Sequence, residues 1–225
     1  MKLLAVDTAL GACSAAILDG TTVLAHALEP MERGHAERLA PMVQEAMNKA
    51  GMSFDAIERL AVTIGPGTFT GQRVGYAFMR GLRLALGRPL IGITTLAAMA
   101  QAAMAETGAR AAAVLHDAKR GEVYFTLVAG NHTLISDRLA AFDDALGAIA
   151  ANSNHFDGRL AMGGTAAGNA AQALVAQGYD VAQSEVIAPD ALWVARLALV
   201  AAEPQTVPRP LYLRPPDARL PARSP

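Results

Sequence analysis

The chain has 225 residues, 52% of them apolar, a formal net charge of -1 and a single cysteine. That length exceeds one average domain of ~100–200 residues, although much of the apolar share is alanine, which buries little area per residue. The balanced charge, the lack of a basic run and an aromatic share of 5% exclude a chain that grips nucleic acid by a basic stripe or stacks bases on rings, and one cysteine excludes an internal disulfide.

Leu3 to Val6 is apolar and ends at Asp7-Thr8, Ala12 to Leu18 is a second apolar run, Asp19-Gly20 is a hairpin turn signal, and Thr22 to Leu28 is a third run. Three strands are expected, the first ending in an acid. From His35 the period changes. Ala36, Leu39, Ala40, Val43, Ala46, Met47 and Ala50 recur at three- and four-residue steps, which predicts an amphipathic helix stopped by Gly51. Pro41 requires either a kink or a start near Ala40. Leu60 to Ile64 is a short strand that runs into Gly65-Pro66-Gly67-Thr68-Phe69-Thr70-Gly71, a turn rich in breakers. A second helix follows, with Val74, Ala77, Phe78, Leu82 and Ala85 on one stripe and Gly87 and Pro89 as its stop. Gly71, Gly75 and Gly81 cost this helix ~1 kcal/mol each relative to alanine, which close approach of another helix would offset.

Leu90 to Ile93 is the next strand and Leu96 to Ala105 the next helix, and Glu106-Thr107-Gly108-Ala109 breaks the pattern. The expected division is residues 1–107 and 108–225. In the second half, Ala111 to Leu115 and Val123 to Val128 read as strands around the charged turn from Asp117 to Glu122, and Asn131-His132 reads as a turn. Leu139 to Ala151 reads as a helix, and Leu160-Ala161-Met162 is a strand entering Gly163-Gly164-Thr165, with a helix on to Gln177. Asp190 caps a helix from Ala191 to Ala202, and a proline-rich extended tail begins near residue 204. Both halves thus repeat strands followed by helices, the pattern of two α/β lobes with a mixed sheet in each.

No complete catalytic set emerges. The glycine turn before the second helix lacks the Gly-Lys-Ser/Thr ending of a phosphate loop, because Gln72-Arg73 follows Gly71. Asp7-Thr8 and Gly163-Gly164 suit the two nucleotide-facing turns of an actin-like ATPase, yet Ala9 stands where a glycine is expected. An ATPase or kinase acting alone is the alternative reading. The five histidines lie far apart, without metal-ligand spacing, and no Gly-x-Ser-x-Gly elbow is present. Cys13, in the apolar run Ala12 to Leu18, reads as a core residue. The charged turn reads as local salt bridging. Asp7 arrives too early for a secretory leader, and the least charged stretch, between Arg88 and Glu106, falls short of the ~20 apolar residues of a membrane span. A soluble cytoplasmic protein is expected.

The segment Ile64-Gly65-Pro66-Gly67-Thr68-Phe69-Thr70-Gly71-Gln72-Arg73-Val74-Gly75 closely resembles the GPGSFTGLRIG signature of the TsaB (YeaZ) family. Leu4 to Ala9, His35 to Pro41, Pro89 to Leu96, Asp117 to Tyr124 and Pro210 to Arg214 resemble further parts of that family in the same order. The resemblance implies an actin-like/Hsp70-like (ASKHA) two-lobed fold and a non-catalytic role, without cofactor, beside a TsaD-type enzyme that transfers threonylcarbamoyl to adenosine 37 of tRNAs reading ANN codons. A TsaE-type ATPase and a TsaC-type synthase complete that pathway, and tRNA would be met only through the partners. Where TsaD-type enzymes carry two metal-binding histidines, this chain has Thr95 and Met99, which do not suit iron or zinc. The resemblance further implies a helical bundle with TsaD, or with a second copy through the same helices. Leu39, Met42, Val43, Ala46, Arg73, Gly75, Ala77, Phe78 and Arg80 are its candidate interface, and Asp7, Thr8, Gly163 and Gly164 are vestiges of nucleotide-facing turns.

Overall fold

A computed structural model describes residues 1–156 and 158–214. The first sheet holds β1 (Lys2–Asp7), β2 (Ala12–Asp19), β3 (Thr22–Pro30), β4 (Arg59–Thr63) and β5 (Leu90–Ile93), in the order β3-β2-β1-β4-β5. β1 to β3 form an antiparallel meander, and β4 and β5 join parallel to β1. The second sheet holds β6 (Ala111–Asp117), β7 (Glu122–Ala129), β8 (His132–Ala141), β9 (Leu160–Gly163) and β10 (Val181–Gln183). Its order, β10-β9-β6-β7-β8, is the first pattern again with β6 in the place of β1. The duplicated mixed sheets are those of the ASKHA fold.

Six α-helices accompany them: α1 (His35–Ala50), α2 (Phe69–Leu86), α3 (Thr95–Thr107), α4 (Phe142–Ala151), α5 (Ala167–Ala176) and α6 (Ala191–Val200). Strand alternation sends Leu4, Val6, Cys13 and Ile17 to the face covered by α1 and α2, and Leu3, Ala5, Ala16 and Leu18 to the face covered by α6. In the second sheet α4 and α5 cover one face and α3 the other. The third helix of each half is therefore exchanged: α3 follows β5 but packs on β6, β7 and β9, while α6 follows β10 but packs on β1, β2 and β4. A division at 107/108 separates the two sheets but not their helices. Arg59 holds the end of α6, donating to the carbonyls of Ala198 and Ala201 at 2.8 and 3.0 Å.

Several local expectations need correction. α1 begins at His35 and runs through Pro41 without a break. Pro41 is on the solvent face, where water can take the carbonyl that its ring leaves unpaired. Leu139 to Ala141 belong to β8, where they pair with Tyr124, Val123 and Glu122, so α4 starts at Phe142. These helix-favouring residues are held in a strand by the ladder to β7, tertiary pairing overriding local preference. β8 and β10 themselves carried no strand expectation. Gly71 and Gly75 are not approached by another helix; they face the turn between β1 and β2, and Gly81 has open space around it. The described tail to Arg214 contains no helix or strand.

Candidate functional site

The glycine-rich segment from Gly65 to Gly75 folds onto the β1–β2 turn. Thr68 caps α2 by accepting from the Gly71 N–H at 3.1 Å, and its own N–H donates to the Ala9 carbonyl at 2.8 Å. A Cβ on Gly67 would overlap the Ala9 carbonyl, and one on Gly71 would overlap the Thr8 carbonyl. On Gly75 it would stand 2.7 Å from the Thr8 hydroxyl. The glycines thus let helix and turn touch through their backbones. The amides of Thr68 and Gly71 are spent inside the chain and so are not offered to a ligand.

Asp7 and Thr8, at the end of β1, are almost fully buried, at 0% and 1% exposure. One oxygen of Asp7 accepts from the Thr63 hydroxyl at 2.5 Å and from the Ala9 N–H at 3.1 Å, while its other oxygen is buried without a partner. Burial pushes the carboxyl up to about 7, against the lowering effect of those hydrogen bonds. Thr8 accepts from the Gly75 N–H at 2.9 Å and donates to the Gly71 carbonyl at 2.7 Å. Ala9 and Leu10 continue into an apolar cluster with Leu96, Met99, Ala100, Ala103, Val114 and Ala161, which fills the space between the sheets beside this turn. On the opposite lobe, Gly163 is buried and Gly164 takes a left-handed φ of +98°, its N–H donating to Val186 at 2.7 Å. A Cβ on Gly164 would overlap the Leu115 carbonyl. Thr8 and Gly164 are therefore committed to internal contacts, and Gly163 is buried, while one oxygen of Asp7 keeps no partner.

Thr95 and Met99 are both fully buried, and the Thr95 hydroxyl has no hydrogen-bond partner. One hydroxyl and one thioether in an apolar cluster do not fit a hard divalent metal. Among the described residues no group of three histidine, cysteine, aspartate or glutamate side chains is placed to hold a metal ion. Cys13 is buried, and burial pushes its thiol up to about 12. The 117–122 turn is in part a local salt bridge, Lys119 to Asp117 at 2.9 Å, while Glu122 turns instead to Arg214 at 2.5 Å.

The candidate interface residues divide sharply. Leu39, Met42, Val43 and Ala46 are buried in the core between α1 and the first sheet, and Gly75 is buried against Thr8. Arg73, Ala77 and Arg80 lie on the surface of α2, and Phe78 is half-buried. The exposed stripe of α2 also carries Thr70, Gly81 and Leu84, the last 74% exposed. Sequence reasoning missed Leu84, whose place on the same helical face as Ala77 and Gly81 was available from the spacing. It also missed Phe69 and Tyr212 as surface groups, 55% and 48% exposed. α2 and its cap region contain Arg73, Arg80, Arg83 and Arg88 and no acid, and among the described residues none of these arginines is in an ion pair. No helix among the described residues is long and apolar enough to cross a membrane.

Comparison with known proteins places these features in a family. A model described as TsaD, tRNA N6-adenosine threonylcarbamoyltransferase, matches residues 23–193. The chain is 31% identical to the tRNA threonylcarbamoyladenosine biosynthesis protein TsaB of Haemophilus influenzae, across 95% of this chain and 94% of that protein. It is 44% identical to the Escherichia coli protein of the same name over 56% of this chain, and that match spans 54% of the E. coli protein. Among solved structures, YeaZ from Pseudomonas aeruginosa superposes with a TM-score of 0.71 and 29% identity, over 88% of this chain and 91% of that one. The activator of 2-hydroxyisocaproyl-CoA dehydratase from Clostridium difficile, with a TM-score of 0.51 at 12% identity over 88% of this chain and 94% of that one, shares the fold alone.

Proposed function

The chain belongs to the TsaB (YeaZ) family, and on that premise we propose that it is a non-catalytic subunit in the formation of threonylcarbamoyladenosine in tRNA. It binds a TsaD-type threonylcarbamoyltransferase, which modifies adenosine 37 of tRNAs reading ANN codons, and supports that enzyme without transferring the group itself. Tight packing of the signature segment onto the β1–β2 turn carries this reading. Gly67, Gly71 and Gly75 close on Thr8 and Ala9 where an actin-like ATPase would receive phosphate, and Leu10 and Met99 help fill the space beside the turn. The groups that would perform chemistry are thereby turned into packing. The TsaE-type ATPase meets the resulting complex, tRNA is contacted through the partners, and the site of action is the cytoplasm.

What remains for a partner is the outer stripe of α2. Arg73, Ala77, Arg80, Gly81 and Leu84 combine small residues, which let a second helix approach closely, with uncompensated positive charge. A second copy of the chain offers an alternative occupant through the same helices, because the exposed side of α1 carries Glu37, beside a Glu45 already paired with Arg38. Sedimentation of the chain with a TsaD-type protein tests the proposal. A stable complex in which the partner displaces any self-association is the expected result. Separate sedimentation of the two proteins, with ATP turnover by this chain alone, would overturn it.

A further inference from the structure

Residues Pro208–Arg214 close over the signature segment as a strap. The Leu211 N–H donates to the Ile64 carbonyl at 2.6 Å, and the Tyr76 hydroxyl donates to the Pro208 carbonyl. Pro208 lies over Gly92, where a Cβ would stand 2.6 Å from its ring. At the far end Arg214 donates to the Ala118 carbonyl at 2.7 Å and to Glu122 at 2.5 Å, so one short stretch ties the first lobe to the β6–β7 turn of the second.

Between these anchors the strap builds a surface. The Tyr212 hydroxyl accepts from Arg73 Nε at 3.2 Å, the Arg73 guanidinium lies 3.4 Å from the centre of the Phe69 ring, and the two rings are 6.3 Å apart. Cation–π contact and the hydrogen bond hold a long, mobile side chain in one place, which lowers the entropy lost on binding. Phe69 and Tyr212 nevertheless remain half-exposed, and Arg73 has no ion-pair partner among the described residues. Rigid aromatic and arginine side chains of this kind dominate binding energy in protein interfaces. The stack is continuous with the stripe of α2, standing at its N-terminal end one turn before Ala77.

We propose that the C-terminal strap is part of the partner surface. Pro208–Arg214 fixes the Phe69–Arg73–Tyr212 stack, and the stack takes a segment of the partner protein that offers a carboxylate to Arg73 and an apolar side chain to the two rings. Charge decides the occupant: with four arginines and no acid on α2 and its cap region, an acidic, partly apolar segment is the complement. This rests on the reading that α2 docks a TsaD-type subunit.

Titration calorimetry of the full chain against that subunit tests it, with Tyr212→Ala and Tyr212→Phe beside wild type. Tyr212→Ala is expected to weaken binding tenfold or more at an unchanged thermal midpoint, and Tyr212→Phe to fall between the two. Complex formation is expected to slow amide exchange at both Phe69–Arg73 and Leu211–Arg214. Wild-type affinity in Tyr212→Ala, or an effect on self-association alone, overturns the strap's role and leaves the functional reading standing. A wild-type chain that binds no TsaD-type protein overturns both.

Discussion

The Thr8 hydroxyl bridges Gly75 and Gly71: it accepts from the Gly75 N–H at 2.9 Å and donates to the Gly71 carbonyl at 2.7 Å. Those two backbone groups are four residues apart on α2, the pair that an α-helix bonds to itself. A side chain from the β1–β2 turn has thus entered the ladder of α2 at its first turns and joined the helix to the end of the sheet. Thr8→Val keeps the shape but removes both bonds, and is expected to cost about 1–3 kcal/mol in urea unfolding.

The glycines of α2 should separate by what they face. Gly75→Ala places a methyl group 2.7 Å from the Thr8 hydroxyl and is expected to lower stability by more than 1 kcal/mol. Gly81→Ala meets nothing within 4 Å, so it should stabilise the isolated chain by up to ~1 kcal/mol through helix propensity. The same Gly81→Ala variant is expected to weaken the complex, because a partner helix must approach there. Thermal midpoints and binding constants of the two variants check this.

Asp7 should leave a mark on the pH dependence of stability. Its carboxyl is raised by burial from 3.8 to about 7 in the folded chain, so between those values the folded state binds the proton that the unfolded state has lost. Stability from this group is therefore present below pH 4 and declines as pH rises to about 7, by on the order of 4 kcal/mol at most. His116 opposes it: burial lowers that imidazole to about 4, so stability falls as pH drops from 6.5 toward 4. Asp137, raised by burial, acts in the same sense as Asp7. The contribution of Asp7 is isolated by subtracting the Asp7→Asn curve from wild type. The difference should change by about one proton's worth across pH 4 to 7; a flat difference would contradict the burial argument.

Charge reversal probes the outer stripe without touching the core. Arg80→Glu alters an exposed residue, so its unfolding free energy should stay within about 0.5 kcal/mol of wild type, whereas Arg73→Glu also gives up the Phe69 and Tyr212 contacts and should cost about 1 kcal/mol. Each is expected to weaken binding to the TsaD-type subunit at least tenfold, and more steeply at low salt. Unchanged affinity in both would remove α2 from the interface.

Much of the architecture was legible in the sequence. The two apolar runs closed by Asp7 and by Gly163, the helix stops at Gly51 and Gly87 and the cap at Asp190 are local signals with local causes, and the structure keeps them. β8 was illegible because it is an edge strand whose residues alternate irregularly between core and solvent, and β10 because it has only three residues. The exchange of α3 and α6 is set by where the opposite sheet lies, which no local pattern records. In the candidate site the glycine signature was visible, but its purpose was not: spacing shows that Gly71 and Gly75 leave room, not what enters it. The apolar stripe of Leu39, Met42, Val43 and Ala46 likewise looks the same whether it meets the chain's own sheet or a partner. Its burial settles that it meets the sheet.

The central claim is that this chain supports a modification it does not perform. Threonylcarbamoyl transfer to tRNA, measured with the TsaD-type enzyme and a supply of activated threonylcarbamoyl group, tests it most directly. Transfer that requires both proteins, with none by this chain alone and at least tenfold more of the chain needed when Arg73→Glu replaces wild type, is the predicted result. Transfer by the TsaD-type enzyme at full rate without this chain, or by this chain without the enzyme, would contradict it.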